Sequence, residues 1–413
     1  MNLNLQKGSK LFTFFCLYIA QSIPMSFFST VLPVIMRQQN FSLEIIGMLQ
    51  FLKLPWILKF LWSPAIDRSS SQLKHYKRWI FSSEIIYAIL ILCISFLDFH
   101  VTPLLIIGLV VCSFIASATQ DIATDALAVV SFGKREKSLV NSMQSMGSFA
   151  GAMVGGGLLL LLYNKLGWGN LLPYLALFVV ISLLPLLFFR EKQLDEPLVK
   201  KDLPKANPDD LFGFFKQKGI WKQILFLFLY YIGLIGILSM LKPMLVDYGY
   251  NMKEIGIMSG IVGTSIGCLA SFTGGFIVRQ IGRHTSRILF ATLTLVTTLY
   301  FYLLVTEFPI NTATLHCGIS LLWASYGLST IVVYTTAMDC VRKGYEGTDF
   351  TIQTVITHLS SMLMAVGAGK LAGTFGYDKL FLTEIGVATL SLLYILTVYR
   401  TKKTGTDESG TSK

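Results

Sequence analysis

Apolar stretches of about twenty residues recur along the whole chain, and they constrain its fold more than any other feature. They predict spans near 11–36, 44–66, 79–97, 103–130, 139–162 and 171–189, and then near 222–246, 254–278, 288–306, 311–338, 350–374 and 380–399. A helix of about 20 apolar residues crosses a bilayer and satisfies its own backbone polar groups there. The sequence therefore predicts an all-α integral membrane protein with twelve transmembrane helices.

The low charge content argues against a soluble protein of this length. Only 14% of the 413 residues are charged, 53% are hydrophobic, and the mean hydropathy is +0.62. The first apolar run is too long for the core of a signal peptide, and no small-residue cleavage site follows it. We therefore expect the run to be retained as the first span.

Basic residues indicate the orientation of the chain. With both termini placed in the cytoplasm, the inner segments hold 26 of the 34 lysines and arginines. The outer loops then hold 4, which are Arg37, Lys165, Lys253 and Lys379. Cytoplasmic loops are the ones that carry an excess of Lys and Arg. The prediction is a multi-pass protein of the bacterial inner membrane with cytoplasmic termini, whose net charge of +11 reflects topology and anionic lipid, not nucleic acid.

A proline-containing polar segment divides the spans into six and six. We expect an N-terminal bundle over 1–190, a cytoplasmic linker over 191–221, a C-terminal bundle over 222–400 and a disordered tail over 401–413. The halves share a spacing, because Gln144 and Gln353 lie 209 residues apart, as do Gly47 and Gly256. This pattern predicts two six-helix pseudo-repeats with a substrate site near the midplane between them.

Three motifs carry a resemblance to a known family. They read Pro55-Trp-Ile-Leu-Lys59-Phe-Leu-Trp-Ser-Pro64-Ala-Ile-Asp67-Arg68, Gln120-Asp121-Ile-Ala-Thr-Asp125-Ala126 and Gly347-Thr-Asp349-Phe-Thr-Ile-Gln353. The first resembles the loop 2–3 signature of the major facilitator superfamily in its AmpG-like variant. The set is similar to the branch that holds muropeptide permeases, acetyl-CoA transporters and RhtX/FptX-type siderophore importers, and it looks most like the siderophore group. The resemblance implies a major facilitator fold and alternating access.

The same resemblance implies gating residues at the inner surface. The loop with Asp67 and Arg68 is expected to pack against the eleventh span in the outward-open state and to release when the protein opens inward. Lys59 is expected to anchor the Asp67 region. Asp349 either plays a matching inner role or simply favours the start of its helix. The second-half loop departs from the signature, because Arg279 stands where an acid is expected, so a carboxylate gate is not expected there.

Charged residues inside the spans are candidates for coupling, because an intramembrane charge is costly. Asp121 and Asp125 lie four residues apart on one helix face, where two carboxylates repel each other and one is expected to hold a proton. Alternatively, they pair with Lys53, Lys59 or a loop arginine and only hold helices together. Lys53, near mid-membrane, either meets an anionic substrate or neutralises a carboxylate.

Polar and aromatic residues of the spans are candidates to line a substrate cavity. They are Gln21, Lys53, Trp56, Gln120, Thr124, Tyr230, Tyr231, Trp323, Tyr326, Gln353 and His358. Each also has a purely structural interpretation. Aromatic side chains routinely pack or face lipid, and a histidine inside a span is often a satisfied core residue.

These patterns predict a secondary transporter that imports an amphiphilic anionic solute together with protons and acts as a monomer. A siderophore or its iron complex is the first expectation, then muropeptides, then acetyl-CoA. The sequence has no Walker motif, no metal-binding signature and no cofactor motif, so ATP-driven transport is not expected. A membrane enzyme or a non-transporting receptor is the alternative class, but the chain lacks a His-Glu-x-x-His cluster and a sizeable extramembrane domain. The identity of the solute stays open.

Overall fold

The first half of the chain forms six helices that cross the molecule in alternating directions. The computed structural model describes residues 3–38, 49, 52, 54–98, 101–190 and 210–399, and these contain helices but no strands. The helices are α1 (Leu3–Gln38), α2 (54–69, in the segments Leu54–Leu58, Lys59–Leu61 and Ser63–Ser69), α3 (Leu73–Ser95), α4 (Pro103–Ser131), α5 (137–166) and α6 (168–188).

The second half repeats this arrangement. After a short helix, Asp210–Phe215, it contains α7 (220–247), α8 (252–281), α9 (Arg283–Thr306), α10 (Thr312–Asp339), α11 (Glu346–Phe375) and α12 (Tyr377–Thr397). Ten helices of the described part are long and apolar enough to cross a membrane. The start of the predicted second span, at 44–48, lies outside the described residues, as do Lys53, 191–209 of the linker and the tail over 401–413. The predicted twelve-helix membrane fold is confirmed.

Three helix pairs are joined directly at a glycine. Gly167, Gly282 and Gly376 have φ values of 72°, 81° and 88°, a left-handed conformation that only glycine adopts without strain. Each therefore ends one helix and lets the chain turn at once into the next. Gly376 lies 209 residues after Gly167, which is the offset already seen between Gln144 and Gln353. The repeat is thus present in the turns as well as in the spans.

Three helices contain an irregular segment. A π-helical segment interrupts α5 at Val154–Leu158 and α8 at Gly256–Gly263, and α7 breaks between Ile220–Leu229 and Ile232–Asp247. Such irregularities cluster at functional sites in helices.

Large apolar side chains cover the outer faces of the bundle. On α3, Ile86 and Ile89 are more than half exposed, and on α12, Leu390 and Leu393 are too. An exposed apolar surface of this extent is unfavourable in water and favourable in lipid. These faces are therefore the lipid-contacting surface.

The two halves meet at one end of the molecule, which we call the closed end and define by Asp67, Asp339 and Asp349. Hydrogen bonds between α5 and the second half run from this end toward the middle. Ser138 Oγ donates to Gly275 O over 2.9 Å, Asn141 Nδ2 to Thr335 Oγ1 over 3.3 Å, and Ser145 Oγ lies 3.2 Å from Thr330 Oγ1.

The last such contact in the described residues lies near the level of the π segments. There Ser265 Oγ is 3.6 Å from Met153 Sδ. Beyond it, Leu158 on α5 and Ile261 on α8 are more than half exposed. We call this opposite end, where the halves separate, the open end.

Candidate functional site

Two carboxylates of α4 occupy the centre of the first half. Asp121 and Asp125 are 3% and 0% exposed, and they face α1. Asp121 accepts a hydrogen bond of 2.9 Å from Gln21 Nε2 at Oδ1, and its Oδ2 forms an ion pair with Lys59. Because Lys59 is itself buried, the pair is removed from water on both sides, and each charge depends on the other.

Asp125 has a different environment. Its Oδ1 accepts hydrogen bonds from Tyr18 Oη over 2.8 Å and from Gln144 Nε2 over 3.2 Å. Its Oδ2 has no hydrogen-bond partner in the part of the chain that the structure describes. A buried carboxylate without a counter-ion is costly, whereas a carboxyl group that holds a proton is not. We call Tyr18, Gln21, Lys59, Asp121, Asp125 and Gln144 the central cluster.

Lys59 belongs to the central cluster and not to the region around Asp67. The structure places its ammonium on Asp121 and beneath the Trp56 ring, whose centroid is 5.1 Å from Nζ. The expected anchoring of the Asp67 region by Lys59 is thus replaced by a pairing that links α2 to α4. Lys53, the other cation considered, lies outside the described residues.

The second half faces the central cluster with less charge and more aromatic surface. His358 of α11 is close enough to Lys59 and Asp121 to interact with both electrostatically. Tyr334 of α10 is similarly close to Asp121 and Asp125. These two residues bring α10 and α11 to the same place that α1, α2 and α4 reach from the first half.

Aromatic rings form a second cluster between the halves, the aromatic cluster, which consists of Phe149, Tyr231, Trp323 and Tyr326. The centroid distances are 5.9 Å from Phe149 to Trp323, 5.9 Å from Phe149 to Tyr326 and 5.7 Å from Tyr231 to Tyr326. Gly263 makes room for the indole, because a Cβ there would lie 2.3 Å from Trp323 Nε1. That nitrogen has no partner among the described residues and is free to donate to a ligand.

Three other residues predicted to line a cavity donate hydrogen bonds to backbone carbonyl groups. Gln120 Nε2 donates to Leu17 O over 3.3 Å, and Tyr230 Oη donates to Arg287 O over 2.9 Å. Gln353 lies at the closed end, where its Nε2 donates to Ala337 O over 3.0 Å. Thr124 is buried beside Asp125, and its hydroxyl has no partner in the described residues.

Asp67 connects the two halves at the closed end. Its carboxylate accepts hydrogen bonds from Gly347 N over 3.0 Å, from Thr348 N over 2.7 Å and from Thr348 Oγ1 over 2.7 Å. Free backbone N–H groups and the helix dipole favour a negative charge at this position. The carboxylate of the first half therefore caps the first turn of α11 in the second half.

Asp349 and Arg68 differ from this arrangement. Asp349 forms an ion pair of 2.6 Å with Arg342 and accepts from the Arg342 backbone N–H, so it fixes the α10–α11 turn within its own half. Arg68 is exposed. Of the acidic gating candidates, Asp67 is the one that the structure places across the interface.

A further cross-half contact at the closed end was not anticipated from the sequence. Arg283 at the start of α9 pairs with Asp339 at the end of α10 and also donates to Lys134 O in the first half. Lys137 Nζ donates to Met338 O over 2.7 Å. Burial and the nearby Asp339 raise the pKa of the Cys340 thiol to about 11, so this thiol stays neutral beside the contact.

Two buried acids were also missed. Glu84 in α3 and Glu384 in α12 are both 0% exposed, and their carboxyl oxygens have no hydrogen-bond partner in the described part of the chain. The signal was present in the sequence, since each is an acidic residue inside an otherwise apolar run.

Comparisons with known proteins agree with this architecture. The sequence model of the Major Facilitator Superfamily matches residues 11–365 of this chain. An uncharacterised protein of Haemophilus influenzae is 28% identical over 87% of each chain, and the anhydromuropeptide permease of Escherichia coli K12 is 23% identical over 92% of this chain and 78% of its own. Among solved structures, the human organic anion transporter MFSD10 (TETRAN) superposes with a TM-score of 0.69 at 13% identity, covering 93% of this chain and 98% of its own.

Proposed function

Because this chain belongs to the Major Facilitator Superfamily, we propose that it is a secondary transporter that imports an anionic solute of the muropeptide class together with protons. The observation that carries the coupling is the unequal environment of two neighbouring carboxylates. Asp121 is neutralised by Lys59, whereas Asp125, among the described residues, has one oxygen without a hydrogen-bond partner and forms no ion pair. A proton on Asp125 would complete the cluster, which is what a coupling site requires.

The conformation supports an import cycle. If the basic loops lie in the cytoplasm, the closed end is the inner end, and the structure is outward-open. Solute and proton then enter from the open end, and the halves close there while Asp67 releases α11 at the other end. The closed-end contacts between the halves are hydrogen bonds that can break and re-form, as an alternating gate requires.

The solute acts on the same cluster. A carboxylate that reaches Lys59 competes with Asp121 for the ammonium. Asp121 then keeps its negative charge without a counter-ion, which makes a second negative charge on the neighbouring Asp125 less favourable and favours a proton there. Binding of an anionic solute and binding of a proton on Asp125 therefore favour each other. This exchange explains why a lysine and two carboxylates are placed together, which a purely structural ion pair does not require.

The muropeptide class is supported by one relative and by the aromatic cluster. The anhydromuropeptide permease of Escherichia coli aligns over most of this chain, and sugar rings pack well on aromatic side chains, while peptide carboxylates suit Lys59. The siderophore expectation stays a prediction and ranks second, because none of the relatives reported above points to it. Membership of a transporter family also weighs against the membrane-enzyme and receptor alternatives.

Uptake into a bacterial strain that lacks its own muropeptide permease tests the proposal. Cells that produce the protein should accumulate a labelled anhydromuropeptide against its gradient, and a protonophore should abolish the accumulation. Asp125→Asn should keep solute exchange, because the amide imitates the protonated carboxyl, but it should reduce gradient-driven accumulation at least tenfold.

Asp378→Asn is the matched control. It makes the same chemical change at a half-exposed position of α12 and should accumulate solute like the wild type. Accumulation of a ferric siderophore without uptake of the muropeptide would replace the solute class. Protonophore-sensitive accumulation by Asp125→Asn would remove this carboxyl from the coupling.

A further inference from the structure

Glu384 is a buried acid that the mechanism above does not use. It lies seven residues after Tyr377, the first residue of α12, and therefore about 10 Å along the helix from the open end. Its side chain is 0% exposed, so neither water nor lipid reaches it in this conformation. Neither carboxyl oxygen has a hydrogen-bond partner among the described residues.

The site that holds this carboxyl is shaped by glycines of α7. A Cβ on Gly236 would lie 1.5 Å from Glu384 Oε1 and 2.7 Å from Cδ, so only glycine leaves space for the acid. One turn earlier, a Cβ on Gly233 would lie 3.1 Å from Glu384 O. The Cε of Met364 on α11 closes the same space, 3.2 Å from that position at Gly236. The carboxyl thus lies in a fitted apolar pocket between α7, α11 and α12.

Charged groups on the surrounding helices do not pair with it. The ionisable residues of the helices packed around Glu384 are Lys222, Tyr230, Tyr231, Lys242 and Asp247 on α7, Arg283, His284, Arg287, Tyr300 and Tyr302 on α9, Glu346, Asp349, His358 and Lys370 on α11, and Tyr377, Asp378, Lys379 and Tyr394 on α12. In the described part of the chain, Glu384 forms no ion pair or hydrogen bond with any of them. An ionised carboxylate in this pocket would have nothing to compensate its lost hydration.

We propose that Glu384 is a proton-binding site of the second half and that its proton holds the outer segment of α7, Ile232–Asp247, against α12. The fit of the pocket favours one protonation state of this carboxyl group. The neutral acid is compatible with the apolar contact, whereas the ionised form requires water. Water can enter only when α7 moves away from α12, because Gly236 lies directly on the carboxyl.

The protonation state of Glu384 affects the open end of the molecule. The Ile232–Asp247 segment starts at the break in α7, next to Tyr231 of the aromatic cluster, and runs to the open end. Loss of the proton from Glu384 therefore releases a segment that borders the passage between the halves. This role rests on the proposed function only for its physiological use, since the protonation itself needs neither solute nor gradient.

Infrared difference spectroscopy of the purified full-length protein, taken between acidic and alkaline buffers, tests the site directly. The wild type should show a pH-dependent carbonyl band of a protonated buried carboxyl group, and Glu384→Gln should lose it. Glu307→Gln changes an exposed acid at the end of α9 in the same way and should keep the band. Asp125→Asn should keep the Glu384 band as well, so that failure of the coupling proposal and failure of this one are separable.

Two further measurements keep the proposal open to refutation. If Glu384→Gln does not fold, Glu384→Asp should shift the band, because the shorter side chain leaves the pocket of Gly236. The distance between spin labels at Lys242 and Lys379, on the exposed surfaces of α7 and α12, should lengthen in alkaline buffer in the wild type and stay at its acid value in Glu384→Gln. A band that is absent from the wild type, that does not change with pH, or that disappears without any change in label distance would overturn the proposal.

Discussion

The two halves share one architecture and place opposite chemistry in it. In the first half, the centre contains Lys59, Asp121 and Asp125, which are joined by an ion pair and by hydrogen bonds from Tyr18 and Gln21. In the second half, the centre is aromatic, and one of its buried acids, Glu384, stands apart without a partner in the described residues. The repeat therefore preserves helix positions and turns. The polar groups that respond to protons and anions are distributed unequally between the two halves.

We expect the largest effect from breaking the ion pair between Lys59 and Asp121 in the first half. Asp121→Asn leaves the Lys59 ammonium buried without its counter-ion, and breaking a buried pair in this way costs about 3–5 kcal/mol. The midpoint of thermal unfolding in detergent should fall clearly, and transport should be lost. The double variant Lys59→Met with Asp121→Asn should recover most of the stability and none of the transport. Recovery of transport in the double variant would show that the pair is only structural.

We expect a smaller effect from weakening the contact between Asp67 of the first half and α11 of the second. Asp67→Asn removes the charge from a group that accepts three hydrogen bonds at the start of α11. The amide oxygen of asparagine still accepts, so we expect a loss of about the value of one hydrogen bond to a charged group, about 1.5–3 kcal/mol. The protein should fold but populate more of the state in which the closed end has opened. It should transport at least tenfold more slowly. Labelling of a cysteine placed at the closed end measures the shift.

Thr348→Val is the graded control for this contact. It removes the hydroxyl donor and leaves both backbone donors in place, so its effect on transport should be several times smaller than that of Asp67→Asn. Equal effects of the two variants would indicate that the hydroxyl alone carries the contact.

We expect the smallest effects from changes to arginines at the closed end, first at Arg283, which pairs with Asp339. Arg283→Gln loses the pair with Asp339, but both side chains are partly exposed, and Lys137 Nζ remains 3.8 Å from Asp339 Oδ1. Pairs near the surface contribute about 0–1 kcal/mol. Transport should therefore fall no more than about fivefold. Arg68→Gln, at an exposed arginine of the first half, should change it less than twofold, and a larger loss there would restore Arg68 as a gating residue.

The sequence predicted the spans well because hydrophobicity over twenty residues is a local property. Predicted and observed ends of α4 differ by one residue, 103–130 against Pro103–Ser131. Asp121 and Asp125 could also be placed on one face, because a spacing of four residues fixes their relation in any helix. The contact of Asp67 with α11 was expected from the resemblance of its motif to the family signature.

Partners between helices could not be predicted in the same way. Lys59 and Asp121 lie 62 residues apart, and which lysine of the predicted second span reaches α4 depends on the rotation of that span and on the break of α2 into short segments. The unpartnered state of Glu384 depends on Gly236, which lies on another helix. Such facts belong to packing, and a helical pattern specifies a face without specifying what covers it.

The contact between Asp67 and α11 also affects how this protein would look in an alignment of its relatives. Two of its three donors are backbone N–H groups, which every residue except proline supplies equally well. A substitution at either donor position therefore leaves most of the contact intact, and no compensating change at Asp67 follows. Analyses that infer contacts from covarying residue pairs would overlook this connection between the halves. In such an alignment the contact would be visible only as a constant aspartate at position 67 and a small residue at position 347. A Cβ on Gly347 would lie 3.1 Å from the Asp67 carboxylate.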